Sequence, residues 1–215
     1  MNVAEIGTVY GTLLNFKGAY DALEPQMHDE PYKAPPKAPV FYIKPKNTFA
    51  SDGDVIEKPV DEAIVMGGTI GVVMGQNASR VARDEAMAYV AGFVVANDVA
   101  IAHDNFFRPA YPKRARDGFL PLGDYKDKSE IHDINNLEIQ IFINDEITQI
   151  STLSDLIRDI PTLIQDASEF MTLSAGDILL IGTDTNAPSA EPRDTVRVVV
   201  PGIGELVNTI GGGTT

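Results

Sequence analysis

Residues 64–74 read IVMGGTIGVVM, an apolar and glycine-rich run without a charged side chain. This composition is typical of a buried strand, in which glycines let neighbouring backbones approach closely. The turn-forming tripeptide Gly75-Gln76-Asn77 comes next, and Ser79 is a suitable N-cap for a helix over about residues 80–90. Gly92 ends that predicted helix. The run therefore predicts a central buried strand followed by a short helix.

Most of the remaining chain is predicted to form strands. Two apolar runs flank Asn144-Asp145 and predict a β-hairpin. A helix is predicted from about Pro161, because proline is favourable at the first helical position. Its predicted core positions, at helical spacing, are Leu163, Ile164, Ala167 and Phe170. Further predicted strands cover residues 6–16, Val40–Ile43, Ile178–Ile181 and Thr195–Val200. The predicted fold class is α+β and β-rich, with few short helices.

Between the first two predicted strands lies a proline-rich segment, Glu24–Pro39. Its composition favours an extended or turn-rich conformation. It is either a surface loop or a lid over a functional site. We expect residues 1–210 to form one domain, and residues 211–215, which read GGGTT, to be a flexible tail.

The composition excludes several classes of protein. The chain has 215 residues and no cysteine, so it has neither a disulfide framework nor a thiolate site. It contains no apolar run of about 18 residues, and no basic segment leads into an apolar one at the start, so we expect a cytoplasmic protein. The net charge of -14 argues against nucleic-acid binding. An anionic substrate would need a local cluster of lysine and arginine.

A series of short motifs resembles one enzyme family, in both order and spacing. The motifs are Phe41–Pro45, Gly71–Gly75, Tyr89–Phe93, Asn97–Val99, Asp117–Gly123, Leu173–Asp177, Gly182–Thr183 and Gly202–Gly204. On these residues the chain resembles the fumarylacetoacetate hydrolase superfamily from about residue 8 to residue 210. The resemblance implies a mixed β-sandwich roll with few short helices.

A narrower resemblance rests on four segments: 31–37, 43–48, Phe106–Pro109 and Arg116–Phe119. They look like the first of the two homologous halves of the bifunctional isomerase/decarboxylases of homoprotocatechuate (4-hydroxyphenylacetate) degradation. This implies a subunit that decarboxylates 5-oxopent-3-ene-1,2,5-tricarboxylate and isomerises 2-hydroxyhepta-2,4-diene-1,7-dioate. It also implies a partner, either a homologous second subunit or a second copy of this chain.

The family resemblance further implies a divalent cation such as Mg²⁺, which chelates the substrate and stabilises an enolate. Two glutamates in a Glu-x-Glu pattern and an aspartate usually hold the ion. The two glutamate positions correspond here to Gly67 and Thr69, and the aspartate to Asp98. We therefore expect the metal site to be degenerate and cation binding to be weak or absent. We also expect that glutamate at both positions would restore binding.

Other family positions are altered as well. The His-x-x-Glu dyad of the family corresponds to Ala19 and Ala22, and a lysine corresponds to Arg114. His103 occupies a position at which the family has an acidic residue. The candidate catalytic residues are therefore Asp98 and His103. The alternatives are that Asp98 caps a loop and that His103 is a solvated histidine.

The remaining candidates would bind substrate carboxylates. They are Lys44, Lys46, Arg114, Arg116 and Thr183, and Arg108 and Lys113 belong to the same group of cations. The alternative is a solvated basic loop and a simple turn at the end of a strand. Three functions stay open at this point: an enzyme subunit, a non-catalytic structural partner of a metal-bearing homologue, and a small-molecule binding or regulatory module.

Overall fold

The computed structural model describes residues 6–30, 33–103 and 110–213. Pro31-Tyr32 and Phe106–Pro109, which contributed to the narrower resemblance, lie outside the described residues. The α-helices are α1 (Lys17–Leu23), α2 (Tyr111–Arg114) and α3 (Ile160–Phe170). The strands are β1 (Val9–Leu13), β2 (Val40–Lys44), β3 (Phe49–Ser51), β4 (Val55–Glu57), β5 (Ile64–Val65), β6 (Gly68–Met74), β7 (Val90–Asn97), β8 (Ala100–Ile101), β9 (Leu120–Asp127), β10 (Glu138–Ile143), β11 (Glu146–Thr152), β12 (Ile178–Leu180), β13 (Ser189–Ala190), β14 (Thr195–Val200) and β15 (Gly204–Gly211).

These strands form three sheets. The largest has seven strands in the order β2-β1-β12-β6-β7-β9-β3, the second has five in the order β11-β10-β14-β15-β4, and the third has three in the order β13-β5-β8. Val9 of β1 and Leu120 of β9 belong to one hydrophobic cluster although three strands lie between β1 and β9 in the sheet order. The large sheet must therefore curl. The predicted β-rich roll is confirmed.

Strand β6 is the central buried strand that the sequence predicts. All of its residues are buried between β12 and β7. Ile70 and Val72 pack into the core shared with the five-stranded sheet and α3, whereas Val73 belongs to the cluster on the other face. A Cβ at Gly71 would lie 2.7 Å from Cγ2 of Ile178. Glycine at this position therefore allows the close packing of β12 on β6.

The helix predicted over residues 80–90 is wrong. Arg80 has a left-handed backbone (φ +53°), which no α-helix accommodates. The N–H groups of Arg80 and Val81 donate to the carbonyl and the hydroxyl of Ser168 in α3, at 2.6 and 3.0 Å. These tertiary hydrogen bonds replace helical ones. A 3-10 turn at Ala86–Tyr89 leads directly into β7.

Other local predictions are largely confirmed. The β10–β11 hairpin turns at Asn144 and Asp145, both with positive φ, as a type I′ turn requires. Helix α3 has Asp159 as its N-cap, and the side chain accepts a hydrogen bond from the Thr162 N–H. Phe170, predicted to be a core residue, is instead 69% exposed.

The segment between β1 and β2 is more ordered than its prolines suggest. Helix α1 was not predicted, and it leads into a 3-10 turn at Glu24–His28. Met27 of that turn is fully buried against Leu14 and Tyr42, which anchors this part of the proline-rich segment on the sheet. Among the described residues, no helix is long and apolar enough to cross a membrane.

Candidate functional site

A pocket of about 320 Å³ lies where the ends of several strands meet α1. Its wall is mostly apolar and comes from the end of β1, from α1, from β8 and from the loop that follows β12. Its polar lining residues are Asp98, His103, Arg114, Thr183, Asp184, Thr185 and Asn186. A mostly apolar wall with a few converging polar groups is typical of a small-molecule site.

The most deeply buried of these polar groups is Asp98, which directly follows β7 and has a side chain that is 1% exposed. Its Oδ1 lies 2.9 Å from Nζ of Lys44, and its Oδ2 lies 2.8 Å from Nη1 of Arg114. The hydroxyl of Tyr42 also donates to Oδ2. One carboxylate therefore holds two buried cations and a buried phenol, and the four groups together carry one net positive charge.

Lys44 is fully buried and does not line the pocket. Besides its ion pair with Asp98, its ammonium donates to the carbonyl oxygens of Val99, Arg114 and Phe119 at 3.3, 2.7 and 2.8 Å. These partners account for the three donors of an ammonium group. Lys44 therefore holds the loop after β7 and the turn of α2 against each other.

The protonation states of this cluster follow from its burial and charges. Burial lowers the pKa of the Lys44 ammonium, and the charge of Asp98 opposes this effect. Burial raises the pKa of Asp98, but the charges of Lys44 and Arg114 outweigh it and hold this pKa below its usual range. Burial and the neighbouring Asp98 charge raise the pKa of Tyr42 well above its ordinary value. At neutral pH, Asp98 is ionised and Tyr42 is a hydrogen-bond donor.

Arg114 connects this buried cluster to the pocket. Its side chain is 9% exposed, and its guanidinium carbon lies 5.0 Å from the ring centre of Tyr42. Its Nε is buried and has no hydrogen-bond partner among the described residues. Two other cations of the same turn, Lys113 and Arg116, bind the carboxylate of Glu62 at 2.8 and 2.9 Å and fix the turn from outside.

The structure brings together some of the predicted site residues but not others. Asp98, His103, Arg114 and Thr183 all line the pocket, and so do Ala19 and Ala22 at the positions of the family dyad. Among the predicted cations, Lys46 and Arg116 are exposed and lie away from the pocket wall. Arg108 lies outside the described residues. The predicted substrate-binding roles of Arg114 and Thr183 stay predictions.

Three residues of the site were missed at the sequence level. Tyr42 lies two residues before the predicted Lys44 on β2, so the two side chains point to the same side of the sheet, and this was an available signal. Asp184 lines the pocket, and its carboxylate accepts from the Thr185 N–H at 2.8 Å. Glu62 belongs to no recognisable motif, so its ion pair with Lys113 of α2 could not be predicted from the sequence.

Comparison with known proteins identifies the family. The family model described as "Fumarylacetoacetate (FAA) hydrolase C-terminal" matches residues 8–211. The chain belongs to the fumarylacetoacetate hydrolase family. It is 37% identical over 204 residues to the 4-hydroxyphenylacetate degradation bifunctional isomerase/decarboxylase of Salmonella dublin, and 36% identical to that of Escherichia coli. Each match covers 95% of this chain and 47% of the relative, so the chain spans about half the length of these proteins.

Solved structures of fumarylacetoacetate hydrolase family proteins share the fold. The 5-carboxymethyl-2-hydroxymuconate delta-isomerase of Mycobacterium smegmatis is 25% identical, with a TM-score of 0.79 over 96% of this chain and 79% of that one. The fumarylpyruvate hydrolase of Pseudomonas aeruginosa, solved with Mn²⁺ and pyruvate, has a TM-score of 0.82 at 18% identity, over 96% of this chain and 90% of that one. The family resemblance implies a divalent cation, and the residues of this chain at the implied positions test whether one would fit.

The residues at the corresponding positions do not fit a divalent cation. The Thr69 hydroxyl donates to the carbonyl of Gly182 at 2.6 Å, and Gly67 has no side chain. The carboxylate of Asp98 is already neutralised by two cations, which would repel a third positive charge. In the described ranges, no three His, Asp or Glu side chains lie close enough together to hold a metal ion. A hard cation requires several oxygen ligands, and this cluster offers one occupied carboxylate.

Proposed function

We propose that this chain is a subunit of an isomerase/decarboxylase of 4-hydroxyphenylacetate (homoprotocatechuate) catabolism. The substrates would be 5-oxopent-3-ene-1,2,5-tricarboxylate and 2-hydroxyhepta-2,4-diene-1,7-dioate. The identity to bifunctional relatives over about half of their length supports this proposal. It also suggests a homologous second subunit that corresponds to the other half. The assignment to the first half, the alternative of a homodimer and a cytoplasmic location stay predictions.

The division of roles between the two subunits rests on one observation, the Asp98 carboxylate neutralised by Lys44 and Arg114. Decarboxylation and isomerisation of these substrates develop negative charge on an enolate oxygen, and a cation placed there supplies much of the catalysis. In this chain the single carboxylate of the metal position is bound to Lys44 and Arg114. We therefore propose that the divalent cation is held by the partner subunit and that this chain turns over little substrate alone.

The groups of this chain that would act on a substrate are few. Arg114 can hold a carboxylate, Asp98 orients that guanidinium, and the apolar wall excludes water. Thr183 adds a hydroxyl on the same wall. The alternative function is a purely structural partner, which the alanines at positions 19 and 22 favour, because neither can move a proton.

An activity assay with separately purified subunits tests the proposal. Release of CO₂ from 5-oxopent-3-ene-1,2,5-tricarboxylate is measured for this chain alone, for a candidate homologous partner, and for their mixture, each with Mg²⁺ or with EDTA. We expect little activity from this chain alone and full, metal-dependent activity from the mixture. Full activity of this chain alone in EDTA would contradict the proposal.

The same mixture distinguishes a subunit that binds substrate from a purely structural partner. Arg114→Gln in this chain should raise KM if its pocket binds substrate, and should leave KM and kcat unchanged if the chain only supports its partner. Arg116→Gln is the matched control, because it removes a charge from the same turn without altering the pocket wall.

A further inference from the structure

The pocket wall contains a carboxylate that the proposed function does not use. It belongs to Asp184, which follows Thr183 in the loop after β12. We infer that Asp184 is the acid–base residue of this chain, which takes a proton from a 2-oxo acid or its enol and returns one. The inference deepens the proposed function and rests on it for the class of substrate, but its test does not require a partner subunit.

The first argument is the place of this carboxylate. Its Oδ1 lies against the first turn of α1, 2.7 Å from where a Cβ at Gly18 would be, so the glycine makes room for it. The same helix carries Ala19 and Ala22, which occupy the positions of the family's His-x-x-Glu dyad and also line the pocket. The loop after β12 therefore brings an ionisable group to the helix from which the dyad is missing.

The second argument is the fixed orientation of the carboxylate. Its Oδ1 accepts a hydrogen bond from the Thr185 N–H at 2.8 Å, and its Oδ2 accepts one from the hydroxyl of Ser151 at 3.2 Å. Ser151 is itself buried in the protein. The two hydrogen bonds occupy one lone pair of each oxygen, and the remaining acceptor capacity can receive a substrate proton.

The third argument concerns the other ionisable groups of the pocket. Burial raises the pKa of Asp98, but the charges of Lys44 and Arg114 hold it below its usual range, so Asp98 is a poor proton acceptor. Arg114 stays protonated and cannot act as a base. His103 also lines the pocket, and a variant of it belongs to the test.

The proton transfer balances without an oxidant, a reductant or a co-reactant. On 2-hydroxyhepta-2,4-diene-1,7-dioate, the Asp184 carboxylate takes the proton of the 2-hydroxyl, and the electron pair of that O–H bond forms the 2-oxo group. The double bonds shift along the chain, and C5 takes a proton from the protonated carboxyl group. Thr183 lines the same wall and offers a hydroxyl to the oxygen on which charge develops.

Deuterium exchange at C3 of 2-oxohexanoate, followed by NMR in D₂O with EDTA, measures this proton transfer on the purified chain. The C3–H bond breaks, the carboxylate takes the proton, and a deuteron returns to C3, so exchange reports the step even where overall turnover is small. We expect exchange faster than in buffer. Asp184→Asn should lower the rate due to the protein about 100-fold, the usual effect of removing an acid–base group.

Asp127→Asn is the matched control. Asp127 also accepts a backbone N–H and a hydroxyl, both from Ser129, but it does not line the pocket. This variant should exchange as the parent chain does. A parent rate no faster than buffer, or an Asp184→Asn rate equal to that of the control, would overturn the inference.

Two further variants complete the test. Gly18→Ala should lower exchange about tenfold, because its Cβ displaces the Asp184 carboxylate, and should not lower stability, because alanine favours a helix. It decides if Asp184→Asn fails to fold, and unchanged exchange in it would then refute the assignment. His103→Gln should retain exchange; a loss there with exchange retained in Asp184→Asn would make His103 the base instead. CO₂ release by the mixed subunits tests the proposed function separately.

Discussion

Replacing Asp98 with asparagine removes one negative charge from the buried cluster without changing its shape. Two cations, Lys44 and Arg114, would then stay buried without a counter-ion, at 0% and 9% side-chain exposure. Breaking a buried ion pair from one side costs roughly 3–5 kcal/mol. The charge-assisted hydrogen bond from Arg114 to Asp98 alone contributes about 1.5–3 kcal/mol of this sum. We expect Asp98→Asn to lower the free energy of unfolding by about 4 kcal/mol.

Urea denaturation followed by far-UV circular dichroism measures this change, since the chain has no tryptophan. For a chain of this size, a loss of about 4 kcal/mol corresponds to a decrease in Tm of about 10 °C. Glu62→Gln is a matched control, because Glu62 also binds two cations with one oxygen each, but its side chain is 31% exposed. Exposed ion pairs contribute little, so this control should change stability very little.

A double-mutant cycle identifies charge as the cause. If uncompensated charge destabilises Asp98→Asn, then Lys44→Met should cost much less in that background than in the parent chain. Two outcomes would refute the reasoning. One is an Asp98→Asn variant no less stable than Glu62→Gln, and the other is additive losses in the cycle.

Two further predictions concern stability. Gly67→Ala should lower the free energy of unfolding by about 1–3 kcal/mol in the same urea experiment, because its Cβ would lie 2.5 Å from the Asp98 carbonyl oxygen. Gly204→Ala is the control and should be close to neutral, because its Cβ would meet no atom within 4 Å. Equal stability of the two variants would contradict this prediction. Burial raises the pKa of Asp159, but hydrogen bonds from Thr162 outweigh this and hold that pKa below its ordinary value. The stability it contributes is therefore present above that ordinary pKa and is lost as the pH falls below it, through the lowered pKa of the folded chain. Asp159→Asn should flatten the fall of unfolding free energy over this range, and an unchanged slope would refute the assignment.

The sequence predicted the parts of the fold that depend on local chemistry. Strand β6 was recognisable because an uncharged, glycine-rich run has few alternatives to burial. The turn at Asn144-Asp145 was recognisable because both residues tolerate positive φ. The predicted helix over residues 80–90 was wrong because its backbone hydrogen bonds go to Ser168, far away in the sequence. Local propensity contains no information about such a partner.

The candidate site was predictable only as a set of residue types. Asp98, His103, Arg114 and Thr183 were named from motifs, and all four line one pocket. The partners of each charge were not predictable. Lys44 and Asp98 are 54 residues apart in the sequence, and β2, which carries Lys44, is not a neighbour of β7, which Asp98 follows, so their contact depends on the complete fold.

This pairing also bears on the expectation that glutamates at positions 67 and 69 would restore a metal site. A Cβ at position 67 would lie 2.5 Å from the Asp98 carbonyl oxygen and 2.8 Å from Cγ2 of Thr183, so a side chain there requires the backbone to move. The Thr69 hydroxyl holds the carbonyl of Gly182, which a glutamate would have to release. Even with both carboxylates in place, Lys44 would still compete with a metal ion for Asp98. The two substitutions alone therefore do not suffice. A divalent cation also requires a displaced backbone at position 67 and a displaced Lys44 ammonium.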